Sequence, residues 1–271
     1  MPAVDSQSTA PSESTAAPDD AFGAQFLLKE TPRIKPVTVT LEVSPQYTSN
    51  VALSQRDPLG DTFLAAICGV GWRRAISPTL SLDADLRGTI YRYDRYRALD
   101  FQSLVAASQL TYTPRRLRNT SLYAFYSFTQ LTERDFGDAF FDQHAVGAGI
   151  QRTFPISQAH GFSVGASAMW TWTDPAATKR DEYSLFLAYR AALTRRVSLN
   201  AAYRAALYVY PDAAVERNDL NHALSLGIRY DFNEWSHLNI GASATFNRSD
   251  EAVFDYDVWN IGGTLGVRMS F

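Results

Sequence analysis

The chain has 271 residues, of which 46% are hydrophobic and 20% charged, and its formal net charge is −3. A membrane-spanning helix needs about 18 to 20 consecutive apolar residues, roughly twice the length of the longest candidate, residues 63–72, which also contains two glycines. The composition therefore excludes a helical membrane bundle, and the near-neutral charge gives no broad basic field for a nucleic-acid partner.

The first 36 residues are rich in Ser, Thr, Ala, Pro and Asp. Such a composition cannot bury enough apolar surface to offset the entropy lost on ordering. We predict that residues 1–36 form a flexible, low-complexity tail and that residues 37–271 form the folded domain.

From Val37 onward, apolar and polar residues alternate, with Val37, Val39, Leu41 and Val43 on one phase and Thr38, Thr40, Glu42 and Ser44 on the other. A period of two indicates a β-strand whose two faces meet different surroundings. The same pattern recurs about twelve times along the chain. The repeats begin near Val37, Thr62, Leu80, Phe101, Thr120, Gln143, Phe162, Tyr183, Leu199, Asn221, Leu238 and Val258.

The predicted strands run for roughly 11 to 14 residues, longer than the 5 or 6 that are usual in soluble sheets. Tilted strands that cross a bilayer need this length. Longer and shorter steps alternate between strand starts, as expected for short periplasmic turns and longer extracellular loops. These patterns predict an all-β fold, a transmembrane antiparallel barrel of about twelve strands with both termini on the periplasmic side.

Aromatic residues on the apolar phase collect near the predicted strand ends. Membrane barrels place Trp and Tyr in girdles at the two lipid–water interfaces, so we expect outer-membrane lipids to contact these side chains. The predicted girdle residues are Trp72, Trp170, Trp172, Tyr183, Tyr230 and Trp259.

The last predicted strand ends on an aromatic residue at the final position, Phe271. The pattern of Thr264, Gly266, Met269 and Phe271 resembles the carboxy-terminal assembly signal of the Gram-negative outer-membrane β-barrel superfamily. The resemblance implies a location in the bacterial outer membrane and recognition by the barrel-assembly machinery. It identifies a class of protein and says nothing about a transported solute.

Most residues on the polar phase are small, including Gly147, Gly149 and Gly165, which we expect to leave room for water inside the barrel. The charged residues on this phase divide between two groups of strands, which predicts an acidic wall facing a basic one. The predicted pore-lining charges are Glu42, Asp83, Asp85 and Arg87 on the first side and Arg190, Arg204, Arg229 and Arg268 on the second.

Opposed walls of this kind favour a narrow channel for passive diffusion of small polar solutes or ions, because low-dielectric walls focus the field. The alternative is a lumen plugged by ion pairs, for which Glu42 and Arg268 are candidates because their strands become neighbours on closure.

Three further alternatives remain open at the level of the sequence. An enzyme would need a catalytic set: the outward Ser and His pair expected of a lipid hydrolase is missing, and Asp135, Asp138, Asp142 and His144 are the candidates for a protease. An export barrel would have a helix threaded through its pore, and only residues 21–30 could form one, about 15 Å long against an apolar band of about 25 Å. A structural anchor would hold a protein partner through the tail, residues 1–35, or through the loop 249–257. One cysteine, no CxxC motif and four histidines predict no metal site. We assign no catalytic residue, and passive diffusion needs no cofactor.

Overall fold

The computed structural model describes residues 35–213 and 216–271. These residues form twelve strands and three single 3-10 turns, at Arg97–Leu99, Ala176–Thr178 and Ala252–Phe254. Every strand begins within four residues of its predicted start. The strands are β1 (Val37–Thr48), β2 (Asp61–Ser77), β3 (Leu80–Tyr93), β4 (Phe101–Tyr112), β5 (Thr120–Glu133), β6 (Ala139–Pro155), β7 (His160–Asp174), β8 (Asp181–Ala192), β9 (Val197–Tyr210), β10 (Arg217–Asp231), β11 (Ser236–Ser249) and β12 (Tyr256–Ser270).

Each strand pairs antiparallel with its neighbours in sequence, and β1 pairs with β12 to close the ring. At the seam, the Phe271 N–H donates a hydrogen bond of 2.9 Å to the Val37 carbonyl, and the Val37 N–H donates one of 3.4 Å in return. Closure leaves no open strand edge, which is the condition for placing a sheet in hydrocarbon. The predicted antiparallel barrel of about twelve strands is confirmed.

The two faces of the strands differ as the alternation predicts. On β1, Leu41 and Val43 are exposed on the outer face, whereas Ser44 and Thr48 are buried on the inner one. Within residues 35–213 and 216–271, no helix has the length and apolar character needed to cross a membrane.

The connections are shorter at one end of the barrel than at the other. At the end where β1 begins, the turns range from two residues, 78–79, to seven, 113–119. At the opposite end they range from five residues, 134–138, to twelve, 49–60. We call these the turn end and the loop end, which correspond to the periplasmic and extracellular sides of a bacterial barrel.

The inward glycines of β6 and β7 do not open the lumen as the sequence suggested. A Cβ atom on Gly147 would lie 2.4 Å from the Phe125 ring, and one on Gly149 would lie 2.4 Å from the Tyr123 ring. A Cβ atom on Gly165 would lie 2.3 Å from the Phe186 ring. These glycines therefore let aromatic rings of the adjacent strand lie against the barrel wall.

Candidate functional site: the barrel lumen

A cavity of about 870 Å³ lies inside the ring. Small and uncharged polar side chains line most of it, among them Asn200, Ser225, Asn239 and Asn260. A second lumen cavity, of about 550 Å³, lies among the charged residues of β1 to β3 and β10 to β12. The interior thus combines an uncharged polar region with a charged one.

Glu42 of the predicted acidic wall contacts a histidine. Its Oε1 lies 3.6 Å from Nε2 of His237, which reaches it across β12. The contact needs a glycine on the intervening strand, since a Cβ on Gly266 would lie 2.6 Å from the His237 ring. Among the described residues no ion pair joins Glu42 to Arg268, so the pairing considered for a plugged lumen is wrong.

The other two acidic residues of this wall lie beside arginines. Asp83 accepts a hydrogen bond from Nε of Arg73, on the adjacent strand. Asp85 lies 3.4 Å from the guanidinium of Arg87, two residues along β3. The charges of Asp83 and Asp85 are therefore offset by neighbouring arginines, and the wall is less acidic than the sequence suggested.

The arginines of the predicted basic wall fall into two kinds. Arg204 pairs with Glu182, and Arg229 donates a hydrogen bond of 2.8 Å to Asp231. Arg190 and Arg268 have no carboxylate within 4.0 Å in the described ranges 35–213 and 216–271. Among the four predicted arginines, these two therefore have the charge that is least offset by a nearby carboxylate.

The pairing changes the electrostatics expected from sequence. Lumen ion pairs such as Arg73 with Asp83 and Arg204 with Glu182 join residues on the same or adjacent strands, and the Glu42 to His237 contact spans one intervening strand. Within the part of the chain that the structure describes, none of them connects opposite walls. Because these charges are offset locally, we expect a weaker transverse field than the sequence suggested, and among the described residues no ion pair crosses the ring.

At the loop end, two arginines pack against aromatic rings. The Arg217 guanidinium lies 3.4 Å from the ring centre of Phe254 and 4.1 Å from that of Tyr210. Arg180 lies 4.3 Å from the ring centre of Tyr208. Burial acts to lower the pKa of Arg180, but the phenol groups of Tyr208 and Tyr210 outweigh it and the pKa is raised. Arg180 therefore places positive charge beside a cavity of about 580 Å³, which Arg217 also lines, whereas the charge of Arg217 is offset by Asp219 at 3.4 Å.

The sequence analysis did not identify the carboxylates that accompany the arginines. Glu182, Asp219 and Asp231 lie on the inward phase of their strands, as does Arg73. Applying the period-two phase to every charged residue would have found them. The contacts themselves were not predictable, because they depend on strand register.

The register places the six predicted girdle residues on the outer face. Trp72 and Tyr230 lie toward the turn end, and the others lie toward the loop end. Trp172 and Trp259 are more than half exposed. Contact of these side chains with lipid remains a prediction.

The four residues of the predicted assembly signal divide between the two faces of β12. Met269 and Phe271 are exposed outside, whereas Thr264 shares a hydrogen bond of 2.8 Å with Ser44 inside. Gly266 makes room for His237. Recognition by the assembly machinery stays a prediction.

The candidate protease residues do not meet at the mouth of the lumen. His144 lies on the outer face, where its Nδ1 is 2.9 Å from the hydroxyl of Tyr126. Asp135 contacts Arg92 and Arg134 at 3.6 and 3.7 Å in the loop after β5. This geometry gives the protease alternative no support.

No protein-family model and no curated protein sequence matches the chain. Among solved structures, an outer membrane channel from Pseudomonas putida F1 is similar at 13% identity with a TM-score of 0.60, covering 87% of this chain and 96% of that one. The translocator domain of autotransporter NalP from Neisseria meningitidis is 10% identical over 87% and 88% of the two chains, with a TM-score of 0.49. An anion-selective porin from Comamonas acidovorans is 10% identical over 87% and 98%, with a TM-score of 0.42.

At 13% identity, the similarity to the Pseudomonas putida channel is one of fold. It agrees with the closed ring of twelve strands and the apolar outer face. The chain therefore has the fold of a closed antiparallel β-barrel, similar to that of the outer membrane channel.

Proposed function

We propose that this barrel is an outer-membrane channel through which small polar solutes or ions diffuse passively, without a cofactor. The observation that carries the proposal is the cavity of about 870 Å³ inside the ring, lined by small polar side chains. Barrels of about eight strands are filled by side chains, and those of sixteen or more enclose wide channels. With twelve strands and its larger inward rings lying against the wall, this barrel is suited to a narrow aqueous path.

A pair of adjacent residues provides the test. Ser225 faces the lumen and lines the cavity, whereas Leu224 faces outward. We expect the folded chain to conduct in a planar bilayer and Ser225→Trp to lower the single-channel conductance, because the indole occupies part of the aqueous path. Leu224→Trp adds the same indole on the lipid side and should leave the conductance unchanged.

Two results would overturn the proposal. One is a folded, inserted barrel that passes no current. The other is an equal conductance in both tryptophan variants and the unmodified chain.

We further propose that the assembly machinery recognises the exposed Met269 and Phe271 at the end of β12. In support, both side chains stand on the outer face at the strand that closes the ring. The nascent β12 presents an unpaired edge until β1 joins it, and such an edge is a template for strand pairing.

A further inference from the structure

A groove of about 720 Å³ crosses the outer face of the barrel from β5 through β1 to β12. Its course follows the cross-strand register, perpendicular to the strands. One row of outward side chains runs along it: Gln102, Ile90, Ala66, Val43 and Leu265. At about 4.8 Å between neighbouring strands, this row is roughly 19 Å long.

The groove descends from the loop end toward the middle of the barrel. Gln102 is the second residue of β4, at the loop end, whereas Leu265 lies well inside β12. Strands of membrane barrels tilt by about 35 to 45°, so a row perpendicular to them is inclined to the membrane plane. The groove therefore runs from the extracellular interface into the hydrocarbon.

Small residues form the floor of the groove, and the space above them is empty. Gly88 and Cys68 occupy paired positions of the adjacent outward row, beside Ala66. A Cβ built on Gly88 would find no atom within 4 Å. This absence of side-chain volume makes the surface concave at a place where larger side chains would fit.

The end of the groove at the interface is polar. The Gln102 side chain is buried, with the residue only 3% exposed, and its Oε1 accepts hydrogen bonds from the Phe136 N–H at 2.7 Å and the Thr132 hydroxyl at 3.3 Å. These donors fix the orientation of the amide, whose Nε2 has no partner among residues 35–213 and 216–271. Gln130 lines the same end and is partly exposed. Leaving a buried amide donor unpaired is unfavourable, so a carbonyl acceptor is favoured here.

We propose that the groove binds one acyl chain of an outer-leaflet lipid, whose ester or amide carbonyl accepts hydrogen bonds from the amides of Gln102 and Gln130. The amides at the interface correspond to the carbonyl group of such a lipid. The apolar part of the groove, which slopes into the hydrocarbon, corresponds to its acyl chain. In the structure, neighbouring groups shield Nε2 of Gln102 from solvent. Side chains at the polar end of the groove therefore have to move for the lipid carbonyl to reach it.

Volume and lining agree with this occupant. Small-molecule sites are commonly 300 to 1,000 Å³, mostly apolar, with a few polar groups that fix orientation. A second exterior groove, of about 520 Å³ and spanning β8 to β12, is equally apolar, but none of the residues that line it has a buried unpartnered amide in the described part of the chain. The groove between β5 and β12 is therefore the one equipped to hold a lipid in a defined position.

Gly88→Leu tests the assignment, because its side chain would project into the groove from a position where a Cβ atom meets no protein atom within 4 Å. Ala148→Leu adds the same side chain to the outer face of β6, away from the groove, as a matched control. The full-length proteins are extracted from outer membranes in mild detergent and their retained lipids are counted by native mass spectrometry. We expect one acylated lipid on the unmodified chain and on Ala148→Leu, and roughly tenfold less on Gly88→Leu, as for a loss of about 1.4 kcal/mol of binding free energy.

The only cysteine of the chain gives a readout that needs no variant. Cys68 is exposed in the groove, so we expect N-ethylmaleimide to react faster after octyl glucoside removes bound lipid, and more slowly again when a tetradecanoyl phospholipid is added.

Equal lipid retention in all three proteins, or alkylation of Cys68 that does not respond to lipid, would overturn the proposal. The proposal would also be overturned if the protein forms a stable dimer and Cys68 becomes reactive when the dimer dissociates rather than when lipid is removed. Because Gly88 faces away from the lumen, neither result depends on conductance.

Discussion

The inward arginines differ in whether a carboxylate lies beside them. Arg204 and Arg229 are paired, whereas Arg190 and Arg268 are not within 4.0 Å of one among the described residues. A charge that is not offset locally contributes more to the potential met by a passing ion. The selectivity of the proposed channel should therefore depend on particular arginines rather than on a whole wall.

We predict that Arg190→Gln lowers the preference of the channel for anions over cations, by up to roughly fivefold at low ionic strength. Reversal potentials in a salt gradient across a planar bilayer measure this ratio. Arg196→Gln is the control, since Arg196 lies in the turn after β8, outside the strands. The effect should shrink in 1 M salt, where the Debye length is about 3 Å. A ratio equally altered in both variants would contradict the prediction.

Glycines of this barrel differ in how closely other atoms surround them. We predict that Gly149→Ala destabilises the barrel by about 1 to 3 kcal/mol, because its methyl group would clash with the Tyr123 ring and the Ala166 carbonyl oxygen. Gly88→Ala should leave the stability unchanged, since it meets open space. Urea unfolding of both variants in lipid vesicles measures the difference, and equal midpoints would show that the ring of Tyr123 moves aside freely.

At the scale of elements, the strand that closes the ring has two roles. β12 pairs with β1 and β11, and it ends in the exposed Met269 and Phe271. Hydrogen bonds of the backbone at the seam do not depend on the side chain of Phe271. Assembly in the cell and stability of the assembled barrel should therefore respond differently to this residue.

Phe271→Ala is expected to reduce the amount of assembled barrel in outer membranes severalfold, while the purified chain still folds in detergent. Heat-modifiable migration in gels distinguishes folded from unfolded protein in both settings. Phe232→Ala removes an exposed aromatic residue at the same end of the barrel and serves as the comparison. If both variants assemble equally well in cells, the side chain of Phe271 is not part of the signal.

At the scale of the whole molecule, the ring is complete without the first 34 residues. All twelve strands and the seam lie within residues 37–271. Because a barrel is stabilised by closure and by lipid around it, its folding needs no further strand. The predicted tail falls almost entirely outside the described residues and stays a prediction.

We predict that deletion of residues 1–34 leaves a folded barrel with an unchanged unfolding midpoint, read from circular dichroism and from heat-modifiable migration. Comparing the conductance of the deleted and full-length chains then shows whether the tail affects the lumen. Loss of the folded form on deletion would contradict the proposed domain boundary.

The sequence by itself determined the fold. A strict period of two, strand lengths suited to a bilayer and the spacing of turns are local features, so they fix the number of strands and which side chains face outward. It also determined that Glu42, Asp83, Asp85, Arg190, Arg204, Arg229 and Arg268 lie on the inward phase, because orientation follows from the phase alone.

Only the tertiary structure decided which inward residues meet. Glu42 meets His237 across Gly266, and Tyr123 covers Gly149, because strand register and barrel closure bring together residues that are far apart or not distinguished in sequence. The same is true of the exterior groove, whose row joins Gln102 to Leu265 through three strands between them. Alternation is a property of one strand, whereas a pair, a cavity or a groove is a property of several strands in a fixed register.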